Sequence, residues 1–520
     1  MIYFNLVLHS HLPFVKKSGR WPFGEEWFFE AMLDTYIPLS ITFLNLKNKG
    51  VDFHITLSVT PVLVEQLSDP YMIYETEKYI EEKIILAEKD YYMFEKEGKK
   101  EAEVANFYKN RYHKILENFR DNFSRNLLKF WRELQNDGNL EILTSSATHA
   151  YLPLLKNSSS IYAQLFIGKE NYKRHFGKEP KGIWLPECAY KPGIEKFLSQ
   201  LSFKYFFVDT HTILGGESLG YPEIKDHKEK RTILYPYYVD ESDVVVFGRH
   251  ERTSMQVWSS QWGYPGDGLY REFHKKSEGS GLQYWRIVSK EVDLGNKEVY
   301  DPDSAKNKAL EHAFHFINLL EDEGRNNDGI ITAMYDTELF GHWWFEGIIF
   351  LERVYELINE SKIVKSITPT PFLDSNPPKE KINLPESSWG KGGKHEVWLN
   401  DDTKDLWEKI HEVEDETEKI IEEVSIDSLW KEKVIKQLVK EKLLLESSDW
   451  TFLITTNQAR EYGYMRFSQH YENFKTLVNL LNIKEPSLDN FNFLKKLEEK
   501  NSLFPIIDYK IFKRRELDEK

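Results

Sequence analysis

The sequence predicts an α/β barrel with its functional site at the carboxyl ends of the strands. Seven short apolar runs, at about 2–8, 53–59, 140–144, 182–186, 204–208, 244–248 and 329–335, read as strands buried on both faces. Five of the seven run straight into His, Glu, Asp or Arg, and a sixth, 140–144, reaches His149 five residues on. Ligands of parallel α/β folds bind at the strand carboxyl ends, so this recurrence marks one common rim. At 520 residues, with 41% hydrophobic and 29% charged, the chain is long enough for a large barrel plus smaller domains.

The first run has no basic leader and passes into polar His9-Ser10-His11, which predicts a first strand and not a signal peptide. His9 and His11 share one face of an extended chain. They suit a metal pair, a pair of neutral donors for sugar hydroxyls, or a satisfied structural pair. An aromatic, charged loop follows at 19–26, before the second strand. Residues 69–136 read as a helical insertion, with long charged segments at 75–100 and 101–134. The Asp137-Gly138-Asn139 turn leads into the third strand, which delivers His149.

The fourth run, Ile183-Trp184-Leu185-Pro186-Glu187-Cys188-Ala189-Tyr190, is central. It stops at a proline and places Glu187 among aromatics at a strand end. Such surroundings raise a carboxyl pKa or hold a sugar face. The competing reading is a loop glutamate capping a helix that begins near Lys191-Pro192-Gly193. The fifth run ends in Asp209-Thr210-His211, and 212–235 reads as an exposed loop or lid. The sixth ends in Arg249. Beyond it, Val257-Trp258-Ser259 and Gly263–Asp267 suit a wall that approaches a ligand closely, or a plain irregular loop. After a helix at 307–323, the seventh run delivers Asp336 into a segment dense in aromatic and ionisable groups, 337–347.

Residues 366–395 are proline-rich and then glycine-rich, the signature of a boundary, yet they carry Trp389, with Trp398 just beyond. The remainder is helical in pattern, at 402–424, 426–446, 449–482 and 487–500. The expected domains are therefore a barrel of 1–68 and 137–375, an insertion of 69–136, and a C-terminal helical domain of 376–520 that contributes to the active-site cleft.

The formal net charge of -15 argues against a nucleic acid or an anionic membrane as partner and fits a neutral substrate. Aromatics at 14% suit sugar faces and cores alike. The single cysteine, Cys188, excludes an internal disulfide and a cysteine-based zinc site. No apolar run approaches the roughly 18 residues that span a bilayer. These features predict a cytoplasmic protein.

Two carboxylates on different strand ends, near histidines and tryptophans, suit acetal chemistry. A retaining glycosidase pairs a nucleophile with an acid/base about 5–5.5 Å away, and Glu187 and Asp336 are the natural pair. A metal hydrolase or deacetylase using His9, His11 and an aspartate competes with this, as does a sugar-binding protein without catalysis. Nucleotide-binding glycine motifs are absent.

Four segments carry a resemblance: His9-Ser-His-Leu-Pro, Gly138-Asn-Leu-Glu-Ile-Leu-Thr, Trp184-Leu-Pro-Glu-Cys-Ala-Tyr, and Tyr335-Asp-Thr-Glu-Leu-Phe-Gly-His-Trp-Trp. In this order they resemble the motifs of glycoside hydrolase family 57, and within it the branching-enzyme group, which includes proteins once called α-amylases. The resemblance covers nearly the whole chain. It implies a (β/α)7 barrel, a distorted relative of the TIM type, and retaining chemistry on an α-1,4-glucan such as glycogen, amylose or a maltooligosaccharide, with no metal or other cofactor. Glu187 matches the family nucleophile and Asp336 the acid/base. His9, His11 and His149 match donor-subsite residues, and Arg249, Trp258, Gly266, Trp389, Trp398 and Asp449 match positions that hold the glucan. Trp262 lies close enough to Trp258 to compete for its match. Chain transfer forming α-1,6 branches is the leading activity. Hydrolysis of α-1,4 links is the alternative, and glucan binding without catalysis a third. The resemblance also implies a tyrosine-bearing loop over the site, between Thr210 and Pro236.

Overall fold

The computed structural model describes residues 1–215, 231–259 and 262–515. Among the ten strands of the described residues, seven correspond to the apolar runs, in chain order: β1 (Ile2–Ser10), β2 (Ile55–Val59), β3 (Leu140–Ser145), β4 (Ile183–Trp184), β5 (Tyr205–Val208), β6 (Val245–Gly248) and β7 (Gly329–Asp336). Parallel pairing runs from β7 through β1, β2 and β3 to β4, and joins β5 to β6. A parallel bridge between Gly182 and Tyr205 carries the sheet from β4 to β5. Across the last flank, between β6 and β7, the His250 N–H donates to the Thr332 carbonyl at 2.8 Å.

The strands read as unbroken apolar runs because both of their faces are covered. Val7, Leu143, Trp184, Phe207, Phe247 and Met334 pack together in one cluster. Their sequence neighbours Leu6, Leu8 and Ile142 face a second cluster, and Ile183, Phe206 and Val246 a third. This two-residue alternation sends one set into the barrel and the other against the surrounding helices.

β4 is shorter than the 182–186 run predicts. Pro186 ends the ladder, and Glu187 turns the chain with φ 62° and ψ 22°. Two expected helices are also interrupted. The insertion has α1 (Pro70–Lys96) and α2 (Glu101–Glu117), then a π turn at Asn118–Asn122, and starts again as α3 (Leu127–Asn136). The break falls where Ser124 and Arg125 take φ of 48° and 59°, and the Asn126 side chain caps the new helix through Lys129 N–H. In the C-terminal region, α4 (Lys404–Glu423), α5 (Leu429–Leu445), α6 (Ser448–Thr455), α7 (Arg460–Leu481) and α8 (Leu488–Lys500) replace the expected four segments. Asn457, at φ 57°, separates α6 from α7. Leu438, Trp450 and Phe474 from these helices share a cluster with Ile183 and Phe206, so the helices sit against the β4–β5 flank.

The proline- and glycine-rich stretch is packed, not loose. Ser387 and Tyr190 exchange two backbone hydrogen bonds of 2.9 Å, which lays the stretch beside the end of β4. Residues 216–230, most of the expected lid, lie outside the described residues, Tyr221 among them. Tyr235 is described, and its hydroxyl donates to Asp328 Oδ1 at 2.6 Å. Among the described residues no helix is long and apolar enough to cross a membrane.

Candidate active site

β1, β3, β4 and β7 deliver their last residues to one place. Strand register sets His9 opposite Asp336 on one side and opposite Ser58 on the other. His9 Nδ1 shares a hydrogen bond with Ser58 Oγ at 3.1 Å, and its Nε2 one with His149 Nε2 at 3.1 Å. His149 Nδ1 reaches Ser448 Oγ at 2.9 Å. Burial, then the neighbouring histidines, hold His9 and His149 well below the usual imidazole pKa, so both are neutral. One Nε2 must therefore donate to the other. The serine hydroxyls at the two ends supply the complementary roles.

His11 lies beside them, its ring centroid 6.1 Å from that of His9. Its Nδ1 meets Thr60 Oγ1 at 3.0 Å and its Nε2 meets Asp449 Oδ1 at 2.9 Å. The His11 and His149 rings stack, with centroids 3.8 Å apart and planes 15° from parallel. His11, His149 and Asp449 offer ligand atoms within 4.8 Å of one another. Stacked imidazoles, however, aim their in-plane lone pairs side by side and not at one point, so this set does not fit a metal ion. Trp184 lies beneath, stacked on His9 at 4.5 Å and edge-on to Trp389 at 5.2 Å.

Glu187 and His149 both take left-handed backbone angles, φ 62° and 57°, that non-glycine residues rarely adopt. Each costs about 1–3 kcal/mol and persists only where the surroundings enforce it. The Glu187 carboxylate accepts the Trp389 indole N–H at 2.7 Å and lies 3.9 Å from His149 Nδ1. Burial pushes its pKa up to about 8. The Asp336 and Asp449 charges add to that rise, and the indole N–H opposes it. Burial also raises Asp336, to about 6, against the Arg249 guanidinium and His11. Arg249 is itself buried, lies over the Trp389 ring at 5.4 Å and stands 3.9 Å from Asp209.

A third carboxyl, Glu338, was not legible as part of the site. It is buried, accepts the His11 N–H at 3.2 Å and the Tyr36 hydroxyl, and burial pushes it to about 8. Its segment was singled out for its density of ionisable groups, but nothing in the sequence pairs it with Tyr36. Ser58, Thr60 and Ser448 were missed as well, since short hydroxyl side chains leave no pattern.

The cluster thus gathers His9, His11, His149, Glu187, Trp389 and Asp449 through direct contacts, and Asp336 and Arg249 through their fields. Trp258 ends the helix Glu251–Trp258, and Gly266 closes a short turn. No hydrogen bond or ring contact joins either to the cluster among the described residues. Trp398 is buried behind it, stacked on Tyr151 at 4.3 Å and packed against Gly390.

Two strand-end carboxylates, neutral imidazoles and an indole at the rim of an α/β barrel describe a class of protein built for carbohydrate acetals. The chain belongs to Glycosyl hydrolase family 57, whose profile matches residues 5–385. A second profile, of the 1,4-α-glucan branching enzyme C-terminal region, matches residues 409–512. A 1,4-α-glucan branching enzyme of Thermococcus kodakarensis is 44% identical over 97% of this chain and 78% of its own length. The crystal structure of a branching enzyme of this family from that organism superposes with a TM-score of 0.93 at 43% identity, over 99% of this chain and 96% of that one. The α-amylase AmyC of Thermotoga maritima follows the same fold, with a TM-score of 0.85 at 33% identity and 99% of both chains covered.

Proposed function

We propose that this chain is a 1,4-α-glucan branching enzyme that works by double displacement in the cytoplasm. Asp336 protonates the α-1,4 glycosidic oxygen while Glu187 attacks the anomeric carbon, giving a glucosyl-enzyme. The 6-hydroxyl of another glucan then attacks that carbon, with Asp336 now the base, and Glu187 leaves. His9, His11, His149 and Asp449 hold the hydroxyls of the donor glucose. Arg249, Trp258, Gly266 and Trp389 form the walls along the chain, and Trp398 supports them. The observation that carries the reading is the pair of Glu187 and Trp389: a carboxylate enforced in a left-handed turn at a strand end, held by an indole from a segment 202 residues further along the chain. The relatives similar along the whole chain support transfer as the main activity. The likeness to an α-amylase supports a hydrolytic second reading on the same residues.

The test is amylose digestion by wild type and Glu187→Gln, with α-1,6 linkages followed by proton NMR alongside reducing ends. Branches with few new reducing ends, absent in the variant, are expected. Reducing ends without branches would replace transfer by hydrolysis. Full activity in the variant would remove Glu187 from its role.

A further inference from the structure

The His11–Asp449 hydrogen bond crosses from the barrel to the C-terminal helices, and one buried side chain stands behind both partners. Arg466, on α7, is fully buried. Its Nη1 donates to the Phe14 carbonyl at 2.8 Å and to the Tyr462 hydroxyl at 3.0 Å. Phe14 lies three residues beyond His11, on the same segment. The guanidinium also sits 4.9 Å from the centre of the Trp450 ring, and Trp450 follows Asp449 directly. From the other side Nη2 meets His470 Nε2 at 3.1 Å, and His470 Nδ1 meets Glu441 Oε2 at 2.8 Å. Glu441 is in turn fixed by Gln437 and Asn501 at 2.9 and 2.7 Å. A buried charge is costly unless it is paired and hydrogen-bonded, and here Arg466 takes its contacts from the Phe14 segment, from Trp450 on α6, from Tyr462 and His470 on α7 and, through His470, from Glu441 on α5.

We propose that Arg466 is a positioning residue for the His11–Asp449 pair, bracing the barrel segment through Phe14 and the helical segment through Trp450. It touches no substrate. It sets the separation and angle at which His11 and Asp449 meet the donor glucose, so the role rests on the function proposed above. Misplacement of a site group by about 1 Å costs on the order of 100-fold in rate.

The experiment is a double-mutant cycle of Arg466→Gln and Asp449→Asn, read as total α-1,4 cleavage (branches plus reducing ends), so that the acceptor does not matter. Arg466→Gln is expected to lower kcat about 10–100-fold with little change in KM. Arg466→Lys should recover part of the loss. The double variant should fall within about twofold of Asp449→Asn alone, because a brace has no effect once its pair is gone. Losses that multiply would overturn the proposal. If Arg466→Gln does not fold, Tyr462→Phe removes one acceptor of the guanidinium. Its smaller loss should vanish in the Asp449→Asn background, and equal factors in both backgrounds would overturn the proposal. A wild type that cleaves no glucan would sink the proposed function and this role together, whereas an active wild type with multiplicative losses sinks only this role.

Discussion

Trp389 grips Glu187 twice: its main-chain N–H donates to the Glu187 carbonyl at 3.0 Å and its indole N–H to the carboxylate at 2.7 Å. Trp389→Phe removes only the second bond. A hydrogen bond to a charged acceptor is worth about 1.5–3 kcal/mol, so kcat/KM should fall about 10–100-fold. The bond favours the ionised carboxylate, so its loss raises the Glu187 pKa further. Rate–pH curves of the two proteins should show the limb that belongs to Glu187 moving to higher pH.

With Asp336 near 6 and Glu187 near 8, the pair holds a single proton between those values. Attack needs one proton on the pair, so kcat/KM should be bell-shaped, with limbs at about 6 and 8. In the empty site that proton rests mainly on Glu187, the reverse of what attack requires. The bound glycosidic oxygen and the cationic transition state have to draw it to Asp336. Flat activity from pH 5 to 9 would contradict this coupling.

Asp336→Asn should slow amylose cleavage by about 10²–10⁴-fold, the usual contribution of a general acid. α-Glucosyl fluoride needs no proton on its leaving group and should still react. Mass spectrometry is then expected to find a glucosyl adduct on Glu187.

Lys442 in the last turn of α5 and Glu446 at its C-cap form an ion pair in which both side chains are 1% exposed, and Ser160 and Gln164 complete it. Lys442→Met should cost about 3–5 kcal/mol, because it leaves the carboxylate buried without its partner. Adding Glu446→Leu should recover part of that loss. Denaturant unfolding measures both.

Trp398 was expected to hold glucan and is packed on Tyr151. Trp398→Ala should therefore lower stability by about 3–5 kcal/mol, the cost of emptying a large core site. Unfolding midpoints would show this ahead of any loss of glucan affinity.

The barrel was legible because buried parallel strands are apolar on both faces, and because Asp336, Arg249, Glu187 and His149 lie at or within four residues of the ends of four of them. The departures have local causes. Pro186 cut β4 short. Ser124, Arg125 and Asn457 broke helices whose periodicity carried straight through them. Arg466, Lys442 and Glu441 lie in helical runs where charge ordinarily signals solvent, yet each is buried and hydrogen-bonded to residues distant in sequence or one turn away. Side chains satisfied across such separations leave no spacing to read. Glu338 with Tyr36, 302 residues apart, is the plainest instance.

The two carboxylates belong to the first two-thirds of the chain, while the indole on Glu187, the hydroxyl on His149 and the carboxylate on His11 come from residues 389, 448 and 449. A chain still leaving the ribosome therefore carries both reactive groups long before it carries the parts that hold them. The contacts on Glu187, His149 and His11 are complete only once synthesis has passed residue 449.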